Sequence, residues 1–189
     1  KIMKKYYRKT TPKVKNGVVQ YKNNWVPTLN IYNTKQKHPV FDKERPGKGY
    51  KHLLRKKDLY NFIDLLPDWQ ELSIGLDVVL LAKGRYNAMG WYDRGIVALC
   101  AWDRAIVWKS CTSEFYIEHK DLFNKLNIKC TKVGRYWDID FTQESAKAFQ
   151  LIHIFIHELG HHHDRMTTRS KNNIARGESY AELYATKHE

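Results

Sequence analysis

Two histidines and a glutamate late in the chain have the types and spacing to bind and use a metal ion. His157 and His161 are four residues apart, so a helix would place both imidazoles on one face. Glu158 would lie about 100° further round the axis, close to the ion but outside the ligand face. Random order would give this triple on the order of 0.02 times in such a chain. The pattern predicts Zn²⁺ bound by both histidines, with Glu158 as general base for a water molecule.

Two glutamates further along the chain are candidates for the third ligand. Glu178 and Glu182 are also four residues apart, and a helix would place both on one face. Ala181 and Ala185 would allow this helix to pack close to a neighbour. Catalytic zinc sites commonly combine histidines with a carboxylate and leave one coordination position open. The spacing alone leaves both glutamates open as the third ligand.

The segments His157–His161 and Glu178–Glu182 resemble the gluzincins, the thermolysin-like clan, and among them the small intracellular ImmA/IrrE-type peptidases. The resemblance covers about residues 142–189. It implies a zincin-like fold, with Glu178 as the third ligand and Glu182 as an outer acceptor for a ligand histidine. The chain departs from the pattern at Glu182, where Asp or Asn is usual, so Glu182 as ligand stays an alternative.

Further polar side chains near the motif have two interpretations each. Zinc peptidases need a donor for the developing oxyanion, and Tyr180, Tyr184 and His188 are candidates, although each could simply be a packing group. His153 falls one turn before His157 and is expected to be a core or supporting group rather than a fourth ligand. His162 and His163 are expected to point away from the metal.

The order of the predicted elements indicates an α+β fold. The resemblance to the gluzincins implies a small mixed sheet packed on the active-site helix and on the third-ligand helix that follows it. The active-site helix should begin near Thr142 and end near Arg165. The segment Gly95–Trp102 is either an edge strand that aligns substrate or a plain buried strand. Other expected strands are Val78–Ala82, Ala105–Lys109 as an extension of the same sheet, and Ile128–Val133, while Gly84–Gly90 should be a turn-rich link.

The positive charge is concentrated at the start of the chain. The net charge is +13, and residues 1–57 hold 17 Lys and Arg against two acidic residues, which gives +15. We therefore expect a basic, loop-rich arm over residues 1–57 and a metallopeptidase domain over residues 58–189. Such an arm would suit nucleic acid or another polyanion.

The remaining composition points to an intracellular protein. Cys100, Cys111 and Cys130 are an odd number without framework spacing, as expected for small buried hydrophobes in a reducing compartment. No secretory signal and no membrane-spanning apolar run are visible in the sequence, which favours a cytoplasmic location.

Two functions follow from these patterns. The first is a zinc-dependent endopeptidase that acts on protein or peptide substrates through Glu158 and the metal. The second is a nucleic-acid-binding protein with a structural or vestigial zinc, supported by tyrosines and a tryptophan interleaved among the N-terminal lysines. A purely structural zinc site would have no use for Glu158.

Overall fold

The computed structural model describes residues 38–168 and 175–188, together with the backbone of two short strands near the N-terminus. The described chain mixes helices with small sheets, so the fold is α+β, as predicted. The helices are α1 (Lys56–Ile63), α2 (Trp69–Leu72), α3 (Ser113–Lys125), α4 (Gln143–Phe149), a π-helical segment (Gln150–Phe155), α5 (Ile156–Thr167) and α6 (Gly177–His188). None of these helices is long and apolar enough to cross a membrane.

The strands form several small sheets. They are β1 (Val14–Lys15), β2 (Val18–Val19), β3 (Val40–Lys43), β4 (Tyr50–Lys51), β5 (Val78–Ala82), β6 (Gly90–Asp93), β7 (Ile96–Cys100), β8 (Trp102–Asp103), β9 (Val107–Cys111), β10 (Lys129–Val133) and β11 (Tyr136–Asp140). The largest sheet among the described residues has the order β3–β5–β7–β6. Strands β3, β5 and β7 are parallel, and β6 runs antiparallel to β7.

The four-stranded sheet confirms two predicted strands and corrects the role of one. Every residue of β5 is buried, as its continuous apolar run indicates for a strand covered on both faces. Strand β7 lies between β5 and β6, so the edge-strand interpretation of Gly95–Trp102 is wrong and the buried-strand interpretation is confirmed. The edge strand beside β7 is β6, which begins at the last residue of the predicted link Gly84–Gly90 and was not predicted as a strand.

A second, antiparallel sheet has the order β10–β11–β9. Strand β10 confirms the strand predicted over Ile128–Val133. The prediction that Ala105–Lys109 extends the first sheet is wrong, because β9 pairs with β11 instead. Helix α3 contacts β11 and contributes Leu122 and Phe123 to the hydrophobic core.

The helix predicted from about Thr142 to about Arg165 is confirmed but is not α-helical throughout. Thr142 caps it, since the Thr142 hydroxyl accepts a hydrogen bond from the backbone of Ser145. The π-helical segment separates α4 from α5, and its wider turns change the angular position of the side chains that follow. Phe149, Phe155 and Leu159 are fully buried along the inner face of this helix.

Part of the segment predicted as an arm, residues 1–57, packs with the rest of the fold. Strand β3 pairs with β5 in the main sheet, and Leu53 and Leu54 are buried in the core. Residues from Val40 onward therefore belong to the same folded unit as the motif. Most of the predicted arm, residues 1–37 apart from the backbone of β1 and β2, lies outside the described residues.

The three cysteines are free thiols. Cys100 is buried, and burial raises the pKa of its thiol to about 11, so it stays protonated at neutral pH. The prediction of a small buried hydrophobe is confirmed for Cys100, while Cys111 and Cys130 are half-buried.

Candidate metal centre

Two imidazoles and one carboxylate meet at the interface of α5 and α6. The Oε2 atom of Glu178 lies 3.2 Å from Nε2 of His157 and 3.4 Å from Nε2 of His161. A tetrahedral zinc ion with bonds of about 2.0–2.2 Å holds its ligand atoms about 3.3–3.6 Å apart. The three residues are therefore able to hold a metal ion. The Glu178 side chain is 83% exposed, so the site would stay open to solvent.

Small residues allow helices α5 and α6 to pack closely together. A Cβ atom built on Gly160 of α5 would lie 2.9 Å from Cα of Ala181 and 3.0 Å from Cβ of Tyr184, both on α6. Ala181 and Ala185 are fully buried, as predicted for a helix that packs closely on its neighbour. The absence of a side chain at Gly160 therefore sets the distance between Glu178 and the two histidines.

A buried aspartate at the end of α5 fixes the start of α6. Asp164 has no exposed surface, and its carboxylate accepts hydrogen bonds from the Arg176 backbone at 2.7 Å, the Arg176 Nε at 2.7 Å and the Gly177 backbone at 3.2 Å. Burial would raise the pKa of Asp164, but these hydrogen bonds hold the pKa below its ordinary value. The carboxylate therefore stays ionised and anchors the first turn of α6, which carries Glu178.

Glu182 contacts the other nitrogen of the same ligand histidine. Its Oε2 atom lies 3.1 Å from Nδ1 of His157, so a proton on Nδ1 can be donated to the carboxylate while Nε2 stays free for the metal. The hydrogen bond with His157 lowers the pKa of Glu182. Burial would lower the pKa of His157, but Glu182 and the neighbouring carboxylates raise it overall. The geometry thus places Glu178 beside Nε2 of His157 and Glu182 beside Nδ1 of the same ring.

Glu158 is a buried carboxyl group beside these ligands. Only 5% of its surface is exposed, and its Oε2 atom has no hydrogen-bond partner among the described residues. Burial raises the pKa of Glu158 to about 8. A buried carboxyl with an unsatisfied oxygen and a pKa near neutrality is suited to accept and donate protons.

Glu158 lines one cavity of about 480 Å³ together with His157, His161, Glu178 and residues 87–92. The N–H of Cys100 donates to the carbonyl of Met89, and hydrogen-bonded pairs alternate along an antiparallel ladder. Gly90 and Tyr92 therefore direct their backbone N–H and C=O groups away from β7, toward the outer edge of β6. A Cβ atom at Gly90 would lie 2.5 Å from Oε1 of Glu158, so the absence of a side chain there makes room for this carboxyl.

The three proposed oxyanion donors do not line this cavity. Tyr180, Tyr184 and His188 line a separate groove with His163. The Tyr180 hydroxyl is hydrogen-bonded to Nδ1 of His163 at 2.8 Å, and the Tyr184 ring stacks on the rings of His163 and His188. The packing interpretation fits these three side chains, and we do not retain them as oxyanion donors.

The neighbouring histidines have partners of their own. His162 donates from Nε2 to the carbonyl of Ile74 at 3.0 Å, and its Nδ1 lies 3.2 Å from the Tyr92 hydroxyl. Burial lowers the pKa of His162 to about 4, so it stays neutral. His162 and His163 are thus directed away from the group of His157, His161 and Glu178, as expected.

His153 contacts a residue that the sequence did not single out. Its Nε2 atom lies 3.0 Å from Nε2 of His119, on α3. Both side chains are buried, and both also lie near Glu182. His119 was missed because it stands between Glu118 and Lys120, 34 positions before His153, and only the packing of α3 brings the two histidines together.

No family model, no curated protein and no solved structure matches this chain. The function proposed for it therefore depends on the geometry and chemistry of its own residues.

Proposed function

We propose that this chain is a zinc-dependent endopeptidase, similar to the gluzincins and to the small ImmA/IrrE-type peptidases. The observation that carries the proposal is the placement of Glu158, buried and with a raised pKa, beside two histidines and a carboxylate that are able to hold a metal ion. A mixed sheet packed on the ligand helix, with a second acidic helix following it, also supports a zincin-like fold.

In this proposal His157, His161 and Glu178 bind the zinc ion. When bound, zinc supplies a Lewis acid that polarises a peptide carbonyl and makes water easier to deprotonate. Three protein ligands leave a coordination position open, as in catalytic rather than structural zinc sites. Glu182 keeps the His157 ring oriented by accepting a hydrogen bond from its Nδ1–H group.

Glu158 carries out the proton transfers. It takes a proton from the attacking water and returns it to the leaving amine, which requires a pKa not far from the working pH. Its burial provides such a pKa. Because Gly90 has no side chain, the Glu158 carboxyl fits at the wall of the cavity and is not displaced from it.

Strand β6 offers a template for an extended substrate. Gly90 and Tyr92 present outward-facing backbone groups at an edge that borders the cavity. An extended peptide can add to such an edge through main-chain hydrogen bonds, which places a peptide bond near Glu158 with little demand on the substrate sequence. The proposed substrate class is therefore an extended segment of protein or peptide.

The experiment is cleavage of a proteome-derived peptide library by zinc-loaded wild type and by the Glu158→Gln variant. Glutamine keeps the shape of the side chain but cannot accept the proton, so we expect normal zinc content and no cleavage. Glu144→Gln, an exposed change at the start of the same long helix, is the matched control and should cleave like wild type. Equal cleavage by the Glu158→Gln variant would refute the proposed mechanism.

The second candidate function, a nucleic-acid-binding protein with a non-catalytic zinc site, is supported by the charge of +15 on residues 1–57. It would be favoured if neither wild type nor the Glu144→Gln control cleaved any peptide while the protein bound DNA or RNA. The two functions are also compatible, since a basic segment can bring a peptidase to proteins that are bound to a polyanion.

A further inference from the structure

A second group of metal-ligand side chains lies deeper in the same cavity. It consists of His119 from α3, His153 from the π-helical segment and Glu182 from α6. His119 and His153 are 6% and 3% exposed, and both line the cavity that contains Glu158. We propose that this group binds a second divalent transition-metal ion, with zinc as the expected metal.

The donor atoms of this group converge on one point. The two histidine Nε2 atoms are 3.0 Å apart. Glu182 places Oε1 at 3.9 Å from the His119 nitrogen and Oε2 at 3.8 Å from the His153 nitrogen. Ligand atoms of a tetrahedral zinc ion are about 3.3–3.6 Å apart, so changes of about 0.3–0.6 Å in the His119–His153 distance and in the His119–Glu182 Oε1 distance would match this spacing. The contacts to Glu182 are too long for hydrogen bonds but short enough for ligands that share an ion.

The protonation of His119 suits a metal ligand. Its Nδ1 atom lies 2.9 Å from the carbonyl oxygen of Phe115, and a carbonyl can only accept a hydrogen bond. The proton of a neutral His119 therefore resides on Nδ1, and Nε2 presents its lone pair toward His153. A backbone carbonyl that holds the far nitrogen in this way is the usual support for a metal-ligating histidine.

The π-helical segment is an independent observation that favours the site. In a regular α-helix, His153 would lie directly above His157, on the stripe that carries the first ligand set. The His153 and His157 ring centroids are 6.0 Å apart, whereas those of His157 and His161 are 4.9 Å apart. The segment Gln150–Phe155 includes His153, which contacts α3 instead of acting as a fourth ligand of the first ion. Such π-helical turns are rare and occur frequently at functional sites.

Glu182 would connect the two ions. The Oε2 atom of Glu182 accepts a hydrogen bond from Nδ1 of His157, and Oε1 is left for the ion between His119 and His153. An ion there would draw negative charge from the Glu182 carboxylate and weaken its hydrogen bond with His157. Occupancy of the second site would thereby adjust the first without sharing any of its three ligands.

The test is metal stoichiometry of the full chain, stripped with a chelator, reloaded with Zn²⁺ and freed of excess ion before elemental analysis. We expect about two ions in wild type and in His52→Ala, a control histidine outside both groups. We expect about one ion in His119→Ala, in His153→Gln and in His161→Ala, because each variant removes a ligand from one site only. Circular dichroism checks that each variant is folded.

A wild-type measurement keeps the test independent of the variants. Titration of the metal-free chain with Co²⁺ should show absorption changes that end at two equivalents rather than one. A single ion that is lost in His161→Ala but kept in His119→Ala would overturn the second site and leave the proposed peptidase intact. Two ions that persist in a His119→Ala/His153→Gln double variant would also overturn it. Two ions with the expected losses but without any peptidase activity would support the second site and count against the proposed function.

Discussion

Replacing Glu158 by glutamine should stabilise the metal-free protein, and the gain should grow with pH. The ordinary pKa of this carboxyl is 4.5, and burial raises it to about 8 in the folded chain. Between these values the unfolded chain releases the proton while the folded chain keeps it. The free energy of unfolding of wild type therefore falls as pH rises through this window. Glutamine resembles the protonated carboxyl and has no proton to lose, so the variant escapes this loss.

The size of the effect follows from the two pKa values. Each pH unit between them changes the free energy of unfolding by about 1.4 kcal/mol. Relative to wild type, the Glu158→Gln variant should gain about 3 kcal/mol by pH 7 and about 5 kcal/mol above pH 8. Below pH 4.5 both chains carry a neutral group at this position, and their stabilities should converge.

The assay is equilibrium unfolding by urea, followed by circular dichroism, for chelator-treated wild type and variant at pH 4, 5, 6, 7 and 8. Glu182→Gln is the matched control, because its partner His157 lowers the pKa of Glu182. That control should be less stable than wild type at neutral pH, and the deficit should shrink as pH falls below 4.5. A Glu158→Gln stability difference that stays constant with pH would refute the buried, protonated carboxyl.

Three other perturbations test the packing of the site and the basic segment. Gly90→Ala would place a Cβ atom 2.5 Å from the Glu158 carboxylate, so peptidase kcat should fall by about 100-fold while zinc content stays normal; an unchanged kcat would contradict this. Gly160→Ala would place a Cβ atom 2.9 Å from Ala181 and push α6 outward. Zinc affinity, measured by chelator competition, should therefore weaken by about 10–100-fold. An unaltered affinity would show that the packing of α5 on α6 does not set the distance between Glu178 and the two histidines. Deletion of residues 1–37 should abolish DNA and RNA binding, measured by fluorescence anisotropy, while the zinc content stays unchanged. The affinity of the full chain should fall by about 0.7–0.9 log units per log unit of salt for each phosphate neutralised. Binding that survives the deletion would place the nucleic-acid surface elsewhere.

Local periodicity was enough to predict that His157 and His161 share one helix face. The four-residue spacing of His157 and His161 holds wherever the chain is helical, and the flanking apolar stripe guaranteed a helix there. The position of Glu178 opposite them needed one more assumption, close helix packing, which Ala181 and Ala185 made reasonable. Buried strand β5 was also predictable locally, since its apolar run is short and contains two valines, as is typical of a buried strand.

Features that depend on distant contacts were not predictable. The contact between His119 and His153 requires α3 to pack against the long helix, and the sequence around neither histidine indicates this contact. Strand β6 has only four residues and begins with a glycine, which indicates a turn as readily as a strand. Assignment of β9 to the second sheet is decided by its pairing with β11 rather than by its own residues. The π-helical turns have no sequence pattern that distinguishes them from an α-helix.

The anchoring of α6 by Asp164 also bears on how this chain can vary. Because the first turn of α6 is held by a side chain of α5, the position of Glu178 does not depend on the length of the covalent connection between residues 168 and 175. Loop closure becomes only slowly more costly as a connection lengthens. Insertions at this point should therefore be tolerated, and a reporter peptide could be placed there without separating the third ligand from the histidines.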